Sequence, residues 1–157
     1  GADKTSTLIL NKFYDHGANL DNIFIYNKIP KISDHMSLYN TIDIALDTFP
    51  FNGATTTFEA LWMGVPVVTF SGKTHASRVS SSILYNLDLK SLIAKDINDY
   101  QKKVVEIYES DKFLLEMRKE LRTRMKNSYL CDGQSFANKI EKIYNDLWKQ
   151  NNKFFSS

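Results

Sequence analysis

The residues best suited to chemistry in this sequence are a glycine, a run of threonines and a glutamate within one short segment. Gly53 allows a tight turn, and Thr55, Thr56 and Thr57 follow it at the predicted start of a helix. The first N–H groups of a helix lack partners inside the helix, and the helix dipole attracts an anion to them. Glu59 lies one turn after Thr55 on the same face, where a carboxylate could accept hydrogen bonds from ribose hydroxyls. The segment therefore predicts a site for the diphosphate of a nucleotide.

The same segment has a plainer interpretation. Threonine is a common N-cap, so Thr55 could simply cap the helix while Glu59 is solvated. Asp47, at the end of the preceding predicted strand, is equally open, because it could hydrogen-bond the turn backbone or touch a ligand. The residues alone leave both interpretations standing.

The elements that must position this segment alternate between short apolar runs and amphipathic stretches. We predict strands at residues 23–26, 42–47 and 66–70, and helices at residues 5–16, 33–39 and 55–63. Ser33 and Asp34 are the expected cap of the second helix, and Gly17 and Gly64 end the first and third. Such alternation is typical of an α/β fold with a Rossmann-like parallel sheet, in which ligands lie beyond the carboxyl ends of the strands.

The second part of the chain is predicted to be helical only, with helices at residues 96–110, 111–127 and 135–150. Two apolar stripes on these helices are expected to pack in the core: Leu114, Met117, Leu121 and Met125, and then Phe136, Ile140, Ile143, Tyr144 and Leu147. We therefore expect a single domain over residues 1–157. It would have an α/β part at 1–95, C-terminal helices at 96–150 and a frayed tail at 151–157.

Composition excludes several classes of protein. The formal charge of +2 over 157 residues lacks the basic excess of a nucleic-acid-binding protein. Cys131 is the single cysteine, which excludes an internal disulfide and a cysteine zinc cluster. No apolar run approaches the ~20 residues of a membrane span, and residues 1–6 do not resemble a signal peptide, so we expect a cytoplasmic protein. The three histidines are far apart, and no metal is expected.

A longer pattern surrounds the glycine–threonine segment. It consists of DIALD at 43–47, NGATT at 52–56, EALWMGVPVVT at 59–69, HASRV at 75–79 and YLCDG at 129–133, followed by Phe136, Glu141, Tyr144 and Trp148. In this pattern the chain resembles the C-terminal catalytic lobe of glycosyltransferase family 41, the protein O-linked N-acetylglucosamine transferases and their Spindly-type relatives. The resemblance covers most of the chain from about residue 23.

The resemblance implies the C-terminal lobe of a GT-B glycosyltransferase, ending in a helical segment. Enzymes of this family are inverting transferases that move a sugar from a nucleotide to Ser or Thr hydroxyls of proteins. By position, Thr55 and Thr56 would contact the diphosphate, with Ala54 at the preceding helix-start position, and Glu59 would bind the ribose. Gly53 at the turn and the backbone N–H groups of Ala54, Thr55, Thr56 and Thr57 complete the expected nucleotide-sugar-binding residues. No metal or other cofactor is implied.

The resemblance is less close around the base of the nucleotide. Ala54 stands where some members of the family have a histidine, and Leu38 where some have an arginine. His35 matches a histidine that packs against the base, although it could equally be a surface residue. Lys31 resembles a basic residue near the base and phosphates, with a spacing to His35 that is one residue longer.

Other polar residues are expected to be structural. His75 is interpreted as capping a helix and Arg78 as pairing with a backbone or carboxylate group, although His75 could line the cleft. Cys131 has no base beside it in the sequence and is not expected to be a nucleophile.

The resemblance also implies parts that this sequence does not contain. They are an N-terminal lobe that binds the acceptor, tetratricopeptide repeats that bind protein substrates, and a donor-lobe lysine upstream of the matched region. We therefore expect a fragment that is inactive alone, and the catalytic residues stay unassigned. The expected function is the UDP-sugar-binding part of a protein O-glycosyltransferase that uses UDP-N-acetylglucosamine. The alternative is a non-catalytic nucleotide-sugar-binding or interaction module with the same fold.

Overall fold

A computed structural model describes residues 2–26 and 28–152. The chain divides into two compact units, the first ending at Ser37 and the second beginning at Leu38. The first unit contains helix α1, Ala2–Asp15, a 3-10 turn at Leu20–Asn22, and most of helix α2, Ile32–Leu38.

Helix α1 ends where the sequence predicts. Gly17 has a φ of +80°, the left-handed conformation that glycine adopts without strain. Its N–H donates to the carbonyl of Tyr14 at 2.9 Å, and the N–H of Ala18 donates to the carbonyl of Phe13 at 3.0 Å. These bonds close the last turn of the helix as in a Schellman motif.

Two expectations for the first unit are wrong. Residues 23–26 are not a buried strand: Phe24 is 76% exposed and Tyr26 is 65% exposed, and in the described part of the chain this segment joins no ladder. A β-rich run forms a strand only where a neighbouring strand accepts and donates its backbone hydrogen bonds. Helix α2 begins at Ile32, so Ser33 and Asp34 lie inside it rather than at its cap.

The second unit is built on a parallel sheet. Strands β1, Ala45–Leu46, β2, Val67–Phe70, and β3, Ile93–Ala94, lie in the order β1-β2-β3. Ala45 pairs with Val67, and Thr69 pairs with Ile93. Helix α3, Thr55–Trp62, connects β1 to β2, and helix α4, Val79–Asn86, connects β2 to β3. The predicted α/β class with a parallel sheet is confirmed, although β3 has only two residues and was not predicted.

Three helices follow the sheet, as predicted: α5, Ile97–Tyr108, α6, Asp111–Lys126, and α7, Gly133–Asn152. Helix α7 includes the first two residues of the expected frayed tail, and residues 153–157 lie outside the described residues. None of the helices in the described ranges is both long and apolar enough to cross a bilayer.

The core lies between the sheet and the helices beside it. Its fully buried apolar side chains, at most 2% exposed, include Leu61, Val65, Val67, Val68, Leu84, Leu92 and Leu121. The apolar stripe of α6 joins this core, because Met117, Leu121 and Met125 are at most 5% exposed.

The expected core packing of the α7 stripe is wrong. Phe136, Ile143, Tyr144 and Leu147 are each at least half exposed, and Ile140 is half-buried; no described element of the second unit covers this face. Amphipathic spacing predicts which face of a helix is apolar, but it does not supply a partner for that face.

Candidate nucleotide-diphosphate site

Helix α3 starts beyond the carboxyl end of β1 with its first N–H groups available. Its N-cap is Ala54, which has no side chain that can accept a hydrogen bond. The first backbone bond of the helix runs from the N–H of Phe58 to the carbonyl of Ala54 at 3.0 Å. Among the described residues, no acceptor is recorded for the N–H groups of residues 54–57. An anion placed here would meet unpaired donors at the positive end of the helix dipole.

Asp47 fixes the turn that leads into α3. Its Oδ1 accepts the N–H of Gly53 at 2.8 Å, and its Oδ2 accepts the hydroxyl of Thr69 at 2.6 Å. The hydroxyl of Tyr100, on α5, donates to the carbonyl of Asp47 at 3.1 Å. Of the two interpretations of Asp47, its contacts match the structural one.

Gly53 is required for space. A Cβ added at this position would lie 2.5 Å from Oγ1 of Thr56 and 2.8 Å from Oγ1 of Thr57. Any larger residue would push the threonine side chains away from the turn. The glycine therefore lets the chain fold back closely against the first turn of α3.

The three threonines have different surroundings. Thr55 and Thr56 are exposed, so their hydroxyls can reach a ligand beside the helix start. Thr57 is only 3% exposed, and its Oγ1 lies 2.8 Å from Oγ of Ser80. Thr57 can therefore offer a ligand its backbone N–H, while its hydroxyl is occupied inside the protein. The simple capping interpretation of Thr55 does not hold, because Thr55 is already helical.

Glu59 is held by a tyrosine. The hydroxyl of Tyr39 donates to Oε2 of Glu59 at 3.3 Å. Burial, followed by the charge and the hydrogen bond of Glu59, raises the pKa of Tyr39 to about 12. The phenol thus stays a donor at neutral pH, and Glu59 is half-buried rather than freely solvated. Its carboxylate keeps a fixed position one turn behind the start of α3.

A small cavity of about 130 Å³ lies beside these residues, lined by Tyr39, Asp47, Gly53, Thr56 and Thr57 together with apolar groups of β1, β2 and α3. Sites for whole small-molecule ligands usually enclose about 300–1,000 Å³. A cavity of this size could hold a phosphate group but not a complete nucleotide.

The predicted base-contacting residues lie in the first unit. Lys31 directly precedes α2, and its carbonyl accepts the N–H of His35 at 3.1 Å. The ammonium of Lys31 is 3.7 Å from Oδ1 of Asp34, and both side chains are mostly exposed, so this pair contributes little to stability. The structure brings Lys31 and His35 together within one turn, and it groups residues 53–59 at the start of α3.

His75 and Arg78 line a separate cavity of about 640 Å³ beside α4. Arg78 is the N-cap residue of α4, and its N–H donates to the carbonyl of His75 at 3.0 Å. Among the described residues, the side chain of His75 makes no capping hydrogen bond to α4, and the Arg78 guanidinium has no hydrogen-bond or ion-pair partner. In the same part of the chain, no three His, Cys, Asp or Glu side chains are grouped closely enough to hold a metal ion.

Sequence reasoning missed Tyr39, Ser80 and Tyr100, which hold the predicted site residues in place. Tyr39 and Glu59 are 20 residues apart, Gly53 and Ser80 are 27 apart, and Tyr100 and Asp47 are 53 apart. Side-chain pairs at such separations leave no periodic signal in a single sequence. Only their polar character beside predicted core positions could have marked them as candidates.

The chain is similar to known glycosyltransferases along most of its length. The family model described as glycosyl transferase family 41 matches residues 4–140. Two curated relatives are named as probable UDP-N-acetylglucosamine–peptide N-acetylglucosaminyltransferases SPINDLY. The one from Solanum lycopersicum is 42% identical and the one from Arabidopsis thaliana is 43% identical, each over 117 residues. Each alignment covers 74% of this chain and 13% of the relative.

A more distant relative and a solved structure agree with this similarity. The UDP-N-acetylglucosamine–peptide N-acetylglucosaminyltransferase of Caenorhabditis elegans is 29% identical over 126 residues. A mutant O-GlcNAc transferase of Thermobaculum terrenum superposes with a TM-score of 0.85 at 32% identity, covering 93% of this chain and 28% of that one. The chain thus spans about an eighth of the length of the first curated relatives.

Proposed function

The chain belongs to glycosyltransferase family 41, and from this we propose that it is the nucleotide-sugar-binding part of a protein O-glycosyltransferase. The proposed donor is UDP-N-acetylglucosamine, and the proposed acceptors are Ser and Thr hydroxyls of proteins or peptides. This proposal agrees with the names of the SPINDLY and nematode relatives. The acceptor site and the catalytic base are proposed to belong to an N-terminal lobe, with tetratricopeptide repeats that bind the substrate protein.

The observation that carries the proposal is the uncapped start of α3. The N–H groups of residues 54–57 have no recorded acceptor among the described residues, and they lie beside the exposed hydroxyls of Thr55 and Thr56. Backbone donors and a helix dipole are the groups that stabilise a phosphate at such a position. The rigid turn made by Asp47 and Gly53 holds these donors in place before a ligand arrives.

In transfer, the departing nucleoside diphosphate gains negative charge as its bond to the sugar breaks. Fixed N–H donors at the start of α3 stabilise that charge most strongly in the transition state, because they need no reorganisation. We propose that these donors neutralise the leaving group without a metal ion. Glu59, held by Tyr39, is proposed to accept hydrogen bonds from the ribose, and His35 and Lys31 to contact the base.

We also propose that the enzyme acts in the cytoplasm. Cys131 is free and exposed, which suits a reducing compartment. The positive charge of the chain is too small to favour a nucleic-acid partner.

The proposal predicts a loss of sugar transfer when site side chains are truncated in the intact protein. Thr56→Ala and Glu59→Ala should each lower kcat/KM for the donor about ten- to hundredfold, because a hydrogen bond to a charged group contributes about 1.5–3 kcal/mol. Mass spectrometry of an acceptor peptide incubated with UDP-N-acetylglucosamine measures the transfer. Thr123→Ala and Glu116→Ala, at exposed positions on α6, are matched controls that should transfer at the parent rate.

Two results would count against the proposal. If Thr56→Ala and Glu59→Ala both transferred sugar at the parent rate, the assignment of the site to the start of α3 would be wrong. A parent protein that binds UDP but transfers no sugar to any acceptor would favour the non-catalytic module.

A further inference from the structure

Ser80 connects helix α4 to the turn and the first helical turn of the proposed diphosphate site. It is fully buried, with 0% exposure. Its hydroxyl donates to the carbonyl of Gly53 at 2.9 Å, and its Oγ lies 2.8 Å from Oγ1 of Thr57. A serine hydroxyl carries one proton, so donation to Gly53 makes Thr57 the donor to Ser80. The result is a directed chain of hydrogen bonds, from Thr57 to Ser80 to the Gly53 carbonyl.

This series of hydrogen bonds connects the residues on either side of the N-cap of α3. Gly53 immediately precedes the N-cap Ala54, and Thr57 is the third residue of the helix. An ordinary capping side chain would fix the helix start by accepting an N–H from its first turn, which would occupy a donor. Ser80 fixes the same turn through a carbonyl and a hydroxyl, and it leaves the N–H groups of residues 54–57 available.

The loop before α4 adds a second attachment to the same turn. The N–H of Asn52, a residue that is 2% exposed, donates to the carbonyl of Ala76 at 2.9 Å. The segment from Ala76 to Ser80 therefore holds the turn at two neighbouring residues, Asn52 and Gly53. A shift of α4 would be passed directly to the start of α3.

We infer that Ser80 is a positioning residue for the nucleoside diphosphate: through Gly53 and Thr57 it holds the start of α3 in the geometry that binds the phosphates. The inference rests on the proposed function, since it concerns the same site. Ser80 touches no ligand itself. Its effect is to orient donors that would otherwise vary in direction as the uncapped helix end frays.

The test compares Ser80→Ala with Ser81→Ala in the intact protein, using calorimetric titration with UDP and with uridine. Ser81 is the matched control, because it is also buried on α4 and its Oγ has no hydrogen-bond partner among the described residues. Ser80→Ala should weaken UDP binding about tenfold, the factor that corresponds to one good hydrogen bond, and leave uridine binding unchanged. Ser81→Ala should leave both affinities unchanged.

A second pair of variants covers the case in which Ser80→Ala does not fold. Thr57→Val keeps the shape of the side chain and removes the hydroxyl, whereas Thr57→Ser keeps the hydroxyl. UDP affinity should fall about threefold or more in Thr57→Val and stay near the parent value in Thr57→Ser. In transfer assays, the KM for the donor should rise in Ser80→Ala and Thr57→Val without a change in the KM for the acceptor.

The outcomes separate the inference from the proposed function. A parent protein that does not bind UDP overturns the proposed function together with the inference. A parent that binds UDP, with Ser80→Ala and Thr57→Val binding it equally well, overturns the inference alone. An equal loss of UDP and uridine affinity also overturns it, because that loss would reflect general damage rather than misplaced phosphate donors.

Discussion

At the residue scale, two tyrosine hydroxyls hold the acidic residues around the start of α3, one through a carboxylate and one through a backbone carbonyl. Tyr39 donates to the carboxylate of Glu59, and Tyr100 donates to the backbone carbonyl of Asp47. Burial, together with the charge of the neighbouring carboxylate, raises the pKa of each tyrosine to about 12. Both phenols therefore remain protonated donors well above neutral pH.

These pKa values predict how stability changes in alkaline solution. A phenol whose pKa is raised in the folded state stabilises the fold fully below its ordinary pKa of 10. That contribution is lost as pH rises through about 12. The free energy of unfolding should therefore fall between about pH 10 and 12, and tyrosinate absorbance should show a late transition. Tyr39→Phe and Tyr100→Phe should each remove part of that transition. If the double variant still showed the late transition, Tyr39 and Tyr100 would not be the tyrosines with the raised pKa values.

At the scale of elements, Arg118 on α6 connects the end of α3 to the segment that leads into β1. Its guanidinium donates to the carbonyls of Tyr39 and Met63 at 3.0 Å each, and also to the carbonyl of Ile42. A guanidinium presents five N–H donors in a fixed planar fork, so it can donate to several carbonyls at once. Helix α6 is thereby hydrogen-bonded to the end of α3 and to the segment before β1, which are the two elements beside the proposed site.

Arg118→Ala should lower the free energy of unfolding by about 2 kcal/mol, because charged hydrogen bonds to partly buried carbonyls are lost. Arg124→Ala is the matched control on the same helix, since Arg124 forms a surface pair with Glu120 at 3.7 Å. Its effect should be about 0–0.5 kcal/mol. Urea denaturation measures both changes, and equal effects of the two substitutions would refute the bracing role of Arg118.

Predictability from sequence differed between elements for physical reasons. The start of α3 and the end of α1 were predicted correctly, because a turn, a glycine and a threonine run act locally. Residues 23–26 are predicted to form a strand but do not, and the two-residue β3 is not predicted. Both errors arise because a strand depends on a neighbour that is distant in the chain. The same distance hid the partners of Asp47 and Ser80. The family resemblance, by contrast, was confirmed, since it rests on a pattern spread over many positions.

At the scale of the whole molecule, the chain has an apolar face that its described residues leave uncovered. Phe136, Ile143, Tyr144, Leu147 and Trp148 on α7 are 50–69% exposed. The alignments with curated relatives reach only 11–13% of their length. The chain therefore corresponds to a small part of these longer relatives, in which further residues can cover the apolar face of α7.

This exposure makes a prediction about stability. The double variant Ile143→Lys and Leu147→Lys should change the free energy of unfolding of this chain by less than about 0.5 kcal/mol, as at an ordinary surface position. Leu121→Ala, in the buried stripe of α6, should lower it by about 2–5 kcal/mol. Chemical denaturation followed by circular dichroism measures both. A large loss in the α7 variant would show that its apolar stripe is packed within the chain.

The most direct test of the central claim is amide hydrogen exchange of the intact protein with and without UDP. The claim is that the N–H groups of residues 54–57 bind the diphosphate, and an amide exchanges slowly only when its N–H is hydrogen-bonded or shielded from water. With UDP at a concentration on the order of ten times its Kd, which occupies most sites, exchange in the peptide containing residues 54–57 should slow markedly, while peptides of α6 should be unaffected. Unchanged exchange at residues 54–57 in protein that has bound UDP would contradict the account.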